Sequence, residues 1–466
     1  MHVWAHAHQV TDVRAMPRYV KWLMLAFILL LLTNGLTSSS AEAAGGPGRL
    51  EGVASCAGST CHGRAEGDGK VVRQDELMHW QEPSSQGGAH SRAYAALASP
   101  RGQAITASLG LGDATSAGAC LGCHATTGAP HGERFQLSDG VGCESCHGPA
   151  SGWIASHYAV PASRSSNIAQ GMIPLDNPAT RASVCLDCHF GSAATGQFVT
   201  HSMMAAGHPR VAFELDLFSA LQQHWNQDSD YTQRKGKTDS VRLWAVGQAE
   251  AVRRSTSLFA NPALASEGVF PEFYFFDCHS CHRGINDQPD RKRTFETNPG
   301  RPMTFGYPPY NDENIIMLSA VAQILAPGQA ATFDAASRGF HAAMGKSRAE
   351  AVAAANRLNG AAGALSSVMS QHGFDNDTAF RVVAAIAGRT VSPRYTDFTG
   401  SSQAVMGIDT LLNAMVREGR VTVGAAAGIR GNIDRAYAAV SSPDRYNPAA
   451  FRASLGQAAR SIEALR

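Results

Sequence analysis

Apolar residues recur with a helical period mainly in the last third of the chain. Phe333, Ala336, Phe340 and Met344 fall on one helical face. Val352, Ala355, Leu365 and Val368 fall on another, with a break predicted at the Gly-Ala-Ala-Gly run of residues 360–363. Ile408, Leu411, Leu412, Met415 and Val416 follow the i, i+3, i+4, i+7, i+8 pattern. Asn447 and Pro448 read as N-cap and first helical residue of a last helix carrying Phe451, Leu455, Ala458, Ile462 and Leu465. Residues 311–466 therefore read as an alanine-rich C-terminal α-helical bundle. A docking or dimerising module and a simple cover for other parts of the chain both fit that pattern.

Residues 44–310 differ. They are rich in Gly, Pro, Ser and Asn and show little long periodicity, apart from helix-like segments near 212–224 and 239–255. A chain with so little periodic core needs another apolar body to fold around.

The ten cysteines supply one. They fall into five close pairs: Cys56 and Cys61, Cys120 and Cys123, Cys143 and Cys146, Cys185 and Cys188, Cys278 and Cys281. The second member of each pair is followed directly by histidine: His62, His124, His147, His189 and His282. Four pairs read C-x-x-C-H, and the first reads C-x-x-x-x-C-H. In c-type haem attachment each thiol adds across one porphyrin vinyl group, and the adjacent histidine becomes the proximal iron ligand. Structural zinc would consume two pairs per site, leave one unmatched and demand no histidine. Thioredoxin-like motifs occur singly in a βαβ setting. Five covalent haem c groups, each with its iron, are the expected cofactors. The fold class expected is mainly α with much irregular chain: a multihaem cytochrome c core organised around covalent haems, plus the C-terminal helical bundle.

Haem c is assembled outside the bacterial inner membrane, so export to the periplasm is expected. Residues 1–43 agree: Lys21 precedes an apolar run at 22–32, and an A-x-A cleavage signal ends at Ala43. That run is short for a membrane span of roughly 18–20 residues, although an uncleaved anchor is the other reading. A start at Met16 would give a normal n-region. With every thiol on haem, none remains for disulfides. Charged residues make up 17% and the formal net charge is +1, which argues against a nucleic-acid binder.

Beyond the leader, ten histidines are not proximal ligands. His157 lies ten residues past His147 on a short helical stretch that can present it to a neighbouring iron. His79, His131 and His224 are reserve ligands. His279 lies inside its own motif and cannot reach that iron. His341 and His372 are expected at the surface. Met203 and Met204 sit on a helix and are expected to pack rather than ligate. The basic cluster at 234–237 is expected to be solvated, or to steer an acidic redox partner.

GVGCESCHGPASGWIASH (residues 140–157), HSRAYAAL (from His90) and the order of the first four motifs resemble a multihaem cytochrome c family. It is related to the tetrahaem electron acceptors of hydroxylamine oxidoreductase. The resemblance covers residues 55–210. It implies closely packed haems and distal ligands at His90, His157 and one of His201 or His208, the other being free to serve the fifth haem. It also implies no strong distal ligand for the haem on His124. The chain departs in its wider first motif, its fifth motif and its helical tail, and hydroxylamine oxidation is not carried over.

The function expected is electron transfer between redox proteins, a donor and an acceptor, with a membrane quinol-oxidising or terminal reductase complex among the candidate partners. The alternative is an oxidoreductase acting on a small nitrogen or sulfur species at one five-coordinate haem. The C-x-x-C-K variant used at some catalytic haems is absent.

Overall fold

Helix-capping side chains in the sequence set where the longer helices begin. Asn447 accepts from the Ala450 N–H with Pro448 in the first turn, as the sequence predicts. Asn177 caps the Ala179 and Thr180 N–H groups ahead of Pro178, and Asp239 caps that of Arg242. Each such cap contributes about 1 kcal/mol.

A computed structural model describes residues 48–67, 73–161, 163–264, 269–282, 301–302, 307–375, 377–390 and 397–466. The expected leader at 1–43 lies outside the described residues. The helices of the motif-bearing part are α1 (Glu76–Gln81), α2 (Ala93–Leu97), α3 (Pro100–Leu109), α4 (Gly118–His124), α5 (Cys143–His147), α6 (Arg164–Ala169), α7 (Pro178–His189), α8 (His201–Ala205), α9 (Leu215–Leu221), α10 (Ser229–Lys235) and α11 (Ser240–Ala260). The C-terminal part adds α12 (Glu313–Leu325), α13 (Pro327–Met344), α14 (Arg348–Gln371), α15 (Thr378–Thr390), α16 (Phe398–Arg417), α17 (Val423–Ala439) and α18 (Pro448–Glu463). Among the described residues there are no strands, only three isolated bridges. The fold is mainly α with much irregular chain, as expected. No described helix is long and apolar enough to cross a membrane.

The apolar faces read from the sequence point inward. Phe333 and Phe340 on α13 are fully buried, as are Ile408, Leu411 and Leu412 on α16 and Phe451, Leu455, Ala458 and Ile462 on α18. Each large side chain contributes about 1.5–3 kcal/mol by leaving water. Leu465 lies beyond the end of α18 and is exposed. α11 packs against α14, and also against α7, α9 and α12, so one apolar core continues across residue 310.

Two expectations are corrected. The Gly-Ala-Ala-Gly run does not break the helix: α14 continues through it. Ala361 and Ala362 are buried, and Gly363 lets the Arg253 side chain of α11 pass within contact distance. Gly360 borders open space, so the run is tolerated inside the helix rather than used as a turn. His341 is not a surface residue. It is 2% exposed on the inward face of α13, with Nε2 3.2 Å from Asp312 Oδ2. A carboxylate partner is what makes that burial tolerable. His372 is exposed, as expected.

Candidate haem sites

Three of the cysteine motifs sit on α-helices. α4 carries Cys120, Cys123 and His124, α5 carries Cys143, Cys146 and His147, and the last turns of α7 carry Cys185, Cys188 and His189. One helical turn places the two cysteines of a C-x-x-C motif near each other. Gly148 ends α5 at φ 85°, where a Cβ would meet the Gly171 carbonyl oxygen at 2.5 Å, so the chain can leave directly after His147. The fifth motif begins on a 3₁₀ turn, Cys278–Ser280, capped by Asp277. All ten cysteines are free thiols.

Each histidine that follows a cysteine pair faces one further histidine. Ring centroids are 6.3 Å apart for His62 and His157, 6.3 Å for His124 and His208, and 6.2 Å for His147 and His224. They are 6.5 Å apart for His189 and His90, and 6.1 Å for His282 and His201. These spacings test whether the residues fit an axially bound metal. A metal–imidazole bond is about 2.0–2.1 Å, and the ring nitrogen lies about 1.1 Å from the ring centre. Two imidazoles on opposite sides of one metal therefore have centroids about 6.3 Å apart. All five pairs fit, each beside two free thiols.

Hydrogen bonds orient these rings. Nδ1 of His124 lies 2.8 Å from the Ala93 carbonyl oxygen, that of His157 2.6 Å from Ile154, that of His208 2.7 Å from Pro209 and that of His224 2.7 Å from Gln222. His62 Nδ1 lies 3.0 Å from Glu76 Oε2, and His90 Nδ1 3.1 Å from Gln222 Oε1. With Nδ1–H donated to these oxygens, Nε2 is left with a free lone pair, the tautomer a metal ligand needs. Burial pushes His147 and His189 down to about 4, which keeps both neutral at pH 7. The bond to Glu76 instead draws His62 upward.

Of the histidines put forward from the sequence, His90, His157, His201 and His208 all occupy facing positions. His224, held in reserve, is the fifth. His208 faces His124, the position for which the resemblance supplied no distal partner. His90 faces the fourth motif, so His201 and His208 serve the fifth and second. Two other candidates have different neighbours. His79 lies beside Arg73 and Asp75, and His131 stacks on Phe135 at 4.0 Å. His279 donates to the Pro443 carbonyl at 2.5 Å and packs on Tyr446, away from its own motif's histidine pair. Met203 and Met204 lie on α8, and Met204 packs against the core. Of the aromatic run at 271–277, Phe273 meets His201, while Tyr274 and Phe275 turn into the core. The cluster at 234–237 is exposed.

Gln222 was not singled out by sequence reasoning. Its side-chain oxygen accepts from His90 and its backbone carbonyl from His224, so one residue sets two of the facing rings. No motif marks it, because the link spans 132 residues.

The motifs touch in an order different from their order in the chain. Glu144, inside the third motif, accepts from the N–H groups of Glu51 and Gly52 just ahead of the first at 2.9 and 2.8 Å, and from Ala150 at 2.7 Å. The Cys56 and Cys143 thiols are neighbours. Gln222 joins the third motif's partner histidine to the fourth's. Gln197, just past the fourth motif, donates to the Gly122 carbonyl in the second, and the Cys123 and Cys188 thiols are neighbours. Residues 201–208 supply the facing histidines of both the second and fifth motifs.

No curated protein and no solved structure matches the chain. Residues 55–148 match the family described as cytochrome c554 and c-prime. This stretch, with the first three motifs, is similar to a multihaem cytochrome c family, whose members carry covalently bound haem c.

Proposed function

We propose that the protein is a pentahaem c-type cytochrome, exported to the periplasm, that carries electrons between redox protein partners. The observation that carries this reading is the set of five histidine pairs, each at the spacing of two axial ligands and each beside a free cysteine pair. The ten cysteines would hold the porphyrins, with His62, His124, His147, His189 and His282 as proximal ligands. His157, His208, His224, His90 and His201 would be the respective distal ligands. The haems would supply reversible one-electron chemistry. Paired imidazoles would suit both oxidation states of a haem iron, which is what an electron carrier needs. The carbonyl and carboxylate partners of Nδ1 hold the rings in place and raise their basicity, which favours the ferric state. Export follows from the attachment chemistry and from the apolar run at 22–32.

The enzyme reading asks for one proximal histidine with an open opposite face, and a histidine faces each of the five. What tests the relay is carbon monoxide added to the dithionite-reduced protein. The Soret spectrum is expected to stay unchanged. Stoichiometric carbon monoxide binding would move the reading to an enzyme with one open iron.

Gln222 offers a finer check. Gln222→Leu removes the acceptor from His90 Nδ1 and leaves the ring free to bind. The imidazole becomes a weaker donor, so the potential of the fourth site rises, by no more than about 60 mV if the bond contributes about 0.5–1.5 kcal/mol. In a spectroelectrochemical titration, one step moves upward and all haems stay low-spin. Five unmoved steps would remove Gln222 from this role.

A further inference from the structure

Contacts between motifs hold the third, fourth and second together in the middle, where Thr126, just past the second motif, also bonds Ser145 inside the third at 2.8 Å; the first motif joins through the third and the fifth through the second. Exposure follows the same arrangement. Of the ten cysteines, only Cys61 in the first motif and Cys281 in the fifth are exposed. His282 is the exposed member of the five proximal histidines. Two independent observations, contact order and exposure, thus pick out the same pair of ends.

We infer that electrons pass to and from partner proteins at the two ends of this arrangement, and that the fifth site, set beyond the second by residues 201–208, is one of the two ports. Tunnelling rates fall steeply with edge separation. A docked protein therefore exchanges electrons fastest with a site whose attachment residues reach the surface, and interior sites are reached through their neighbours. The stretch 201–208 makes the link short. His201 and His208 serve different sites, His201 N–H is held by Glu272 at 2.7 Å, and Arg101 donates to the Gly207 carbonyl at 3.0 Å.

The inference also gives the C-terminal part a place. His279, inside the fifth motif, is held by Pro443 and Tyr446, and Asp444 and Arg445 beside them are exposed. The helical part therefore forms one rim of the fifth port, the surface that a one-electron donor or acceptor protein would meet there. The first port is bordered by Tyr158 and Val160, which are 71% and 97% exposed next to His157.

The inference rests on haem attachment as proposed above, and the test separates the two. His201→Met leaves Cys278, Cys281 and His282 in place and gives the fifth haem a distinct absorbance. In that background a ruthenium polypyridyl photoreductant is attached through Asp444→Cys or, separately, Val160→Cys, with an amine as sacrificial donor. From position 444 the distinct haem is expected to be reduced first. From position 160 it is expected last, with a delay at least tenfold longer. Equal timing, or the reverse order, would overturn the port assignment. In the intact sequence without His201→Met, the label at 444 should also lose at least tenfold in injection rate when Cys278→Ala and Cys281→Ala remove the fifth haem, while injection from 160 holds. An unchanged rate from 444 would again overturn it. Wild-type protein with fewer than five covalent haems would overturn the underlying reading instead.

Discussion

Replacing His157 by alanine is expected to turn one low-spin haem high-spin while every covalent attachment survives. His157 lies opposite His62 with ring centroids 6.3 Å apart and is held by the Ile154 carbonyl, Trp153 and Tyr158. Trp153 and the Ile154 carbonyl offer iron no comparable ligand, and Tyr158, whose oxygen could bind iron, is 71% exposed and would not restore a low-spin haem. The first haem should therefore lose its distal imidazole, gain stoichiometric carbon monoxide binding when reduced, and shift to higher potential because its ferric state loses a donor. Cys56, Cys61 and His62 remain, so haem content by pyridine haemochrome should not fall. His131→Ala is the matched control. His131 stacks on Phe135 and faces no proximal histidine, so its loss should leave all spectra unchanged. Unaltered spectra in His157→Ala would strike His157 from the ligands.

The largest stability effect is expected from Arg301. Its side chain is 2% exposed. Nε lies 2.9 Å from Asp312 Oδ2, Nη1 donates to Asp397, and Nη2 donates to the Tyr310 carbonyl at 3.1 Å. Asp277, which caps the fifth motif and accepts from Thr399, lies within electrostatic reach. Arg301 thus ties the fifth motif to α12 and α16. Arg301→Met keeps most of the volume and removes the guanidinium that balances these carboxylates. Breaking a buried pair in this way costs about 3–5 kcal/mol.

The loss should depend on pH. Burial already pushes Asp397 up to about 7 and raises Asp277, even with the guanidinium present. Without it, both carboxyls hold protons in the folded chain at pH values where the unfolded chain has released them. Folded protein that binds more protons gains stability as pH falls. The deficit of the variant should accordingly be larger at pH 8 than at pH 5. Chemical denaturation at both pH values, followed by helical circular dichroism, measures it. An equal deficit at both would mean that charge is not what Arg301 supplies.

The proposed attachment residues could be picked out from the sequence because they are local. A thiol pair and its histidine must lie within a few residues of one another to reach one porphyrin, so spacing alone marks them. The C-terminal helices were legible because their apolar faces repeat at 3.6 residues. Distal partners are a different problem. His208 meets His124 and His90 meets His189 through tertiary contacts that no spacing encodes, so their assignment needed the fold. The resemblance named His90 and His157, which lie opposite His189 and His62 in the fold, and named no partner for His124. His224 had no motif to raise it above other histidines. His341 looked like a surface residue because its partner, Asp312, is 29 positions away in sequence and belongs to a cluster assembled only on folding. The glycines of α14 misled for a related reason. Their breaking tendency costs about 1 kcal/mol each, less than the packing that α11 returns.

The claim that every iron has two histidine ligands is tested most directly by electron paramagnetic resonance of the oxidised protein, with haem content measured alongside. The account predicts five covalent haems per chain, all low-spin. A stoichiometric high-spin signal, or fewer than five haems from a host competent in haem c maturation, would contradict it.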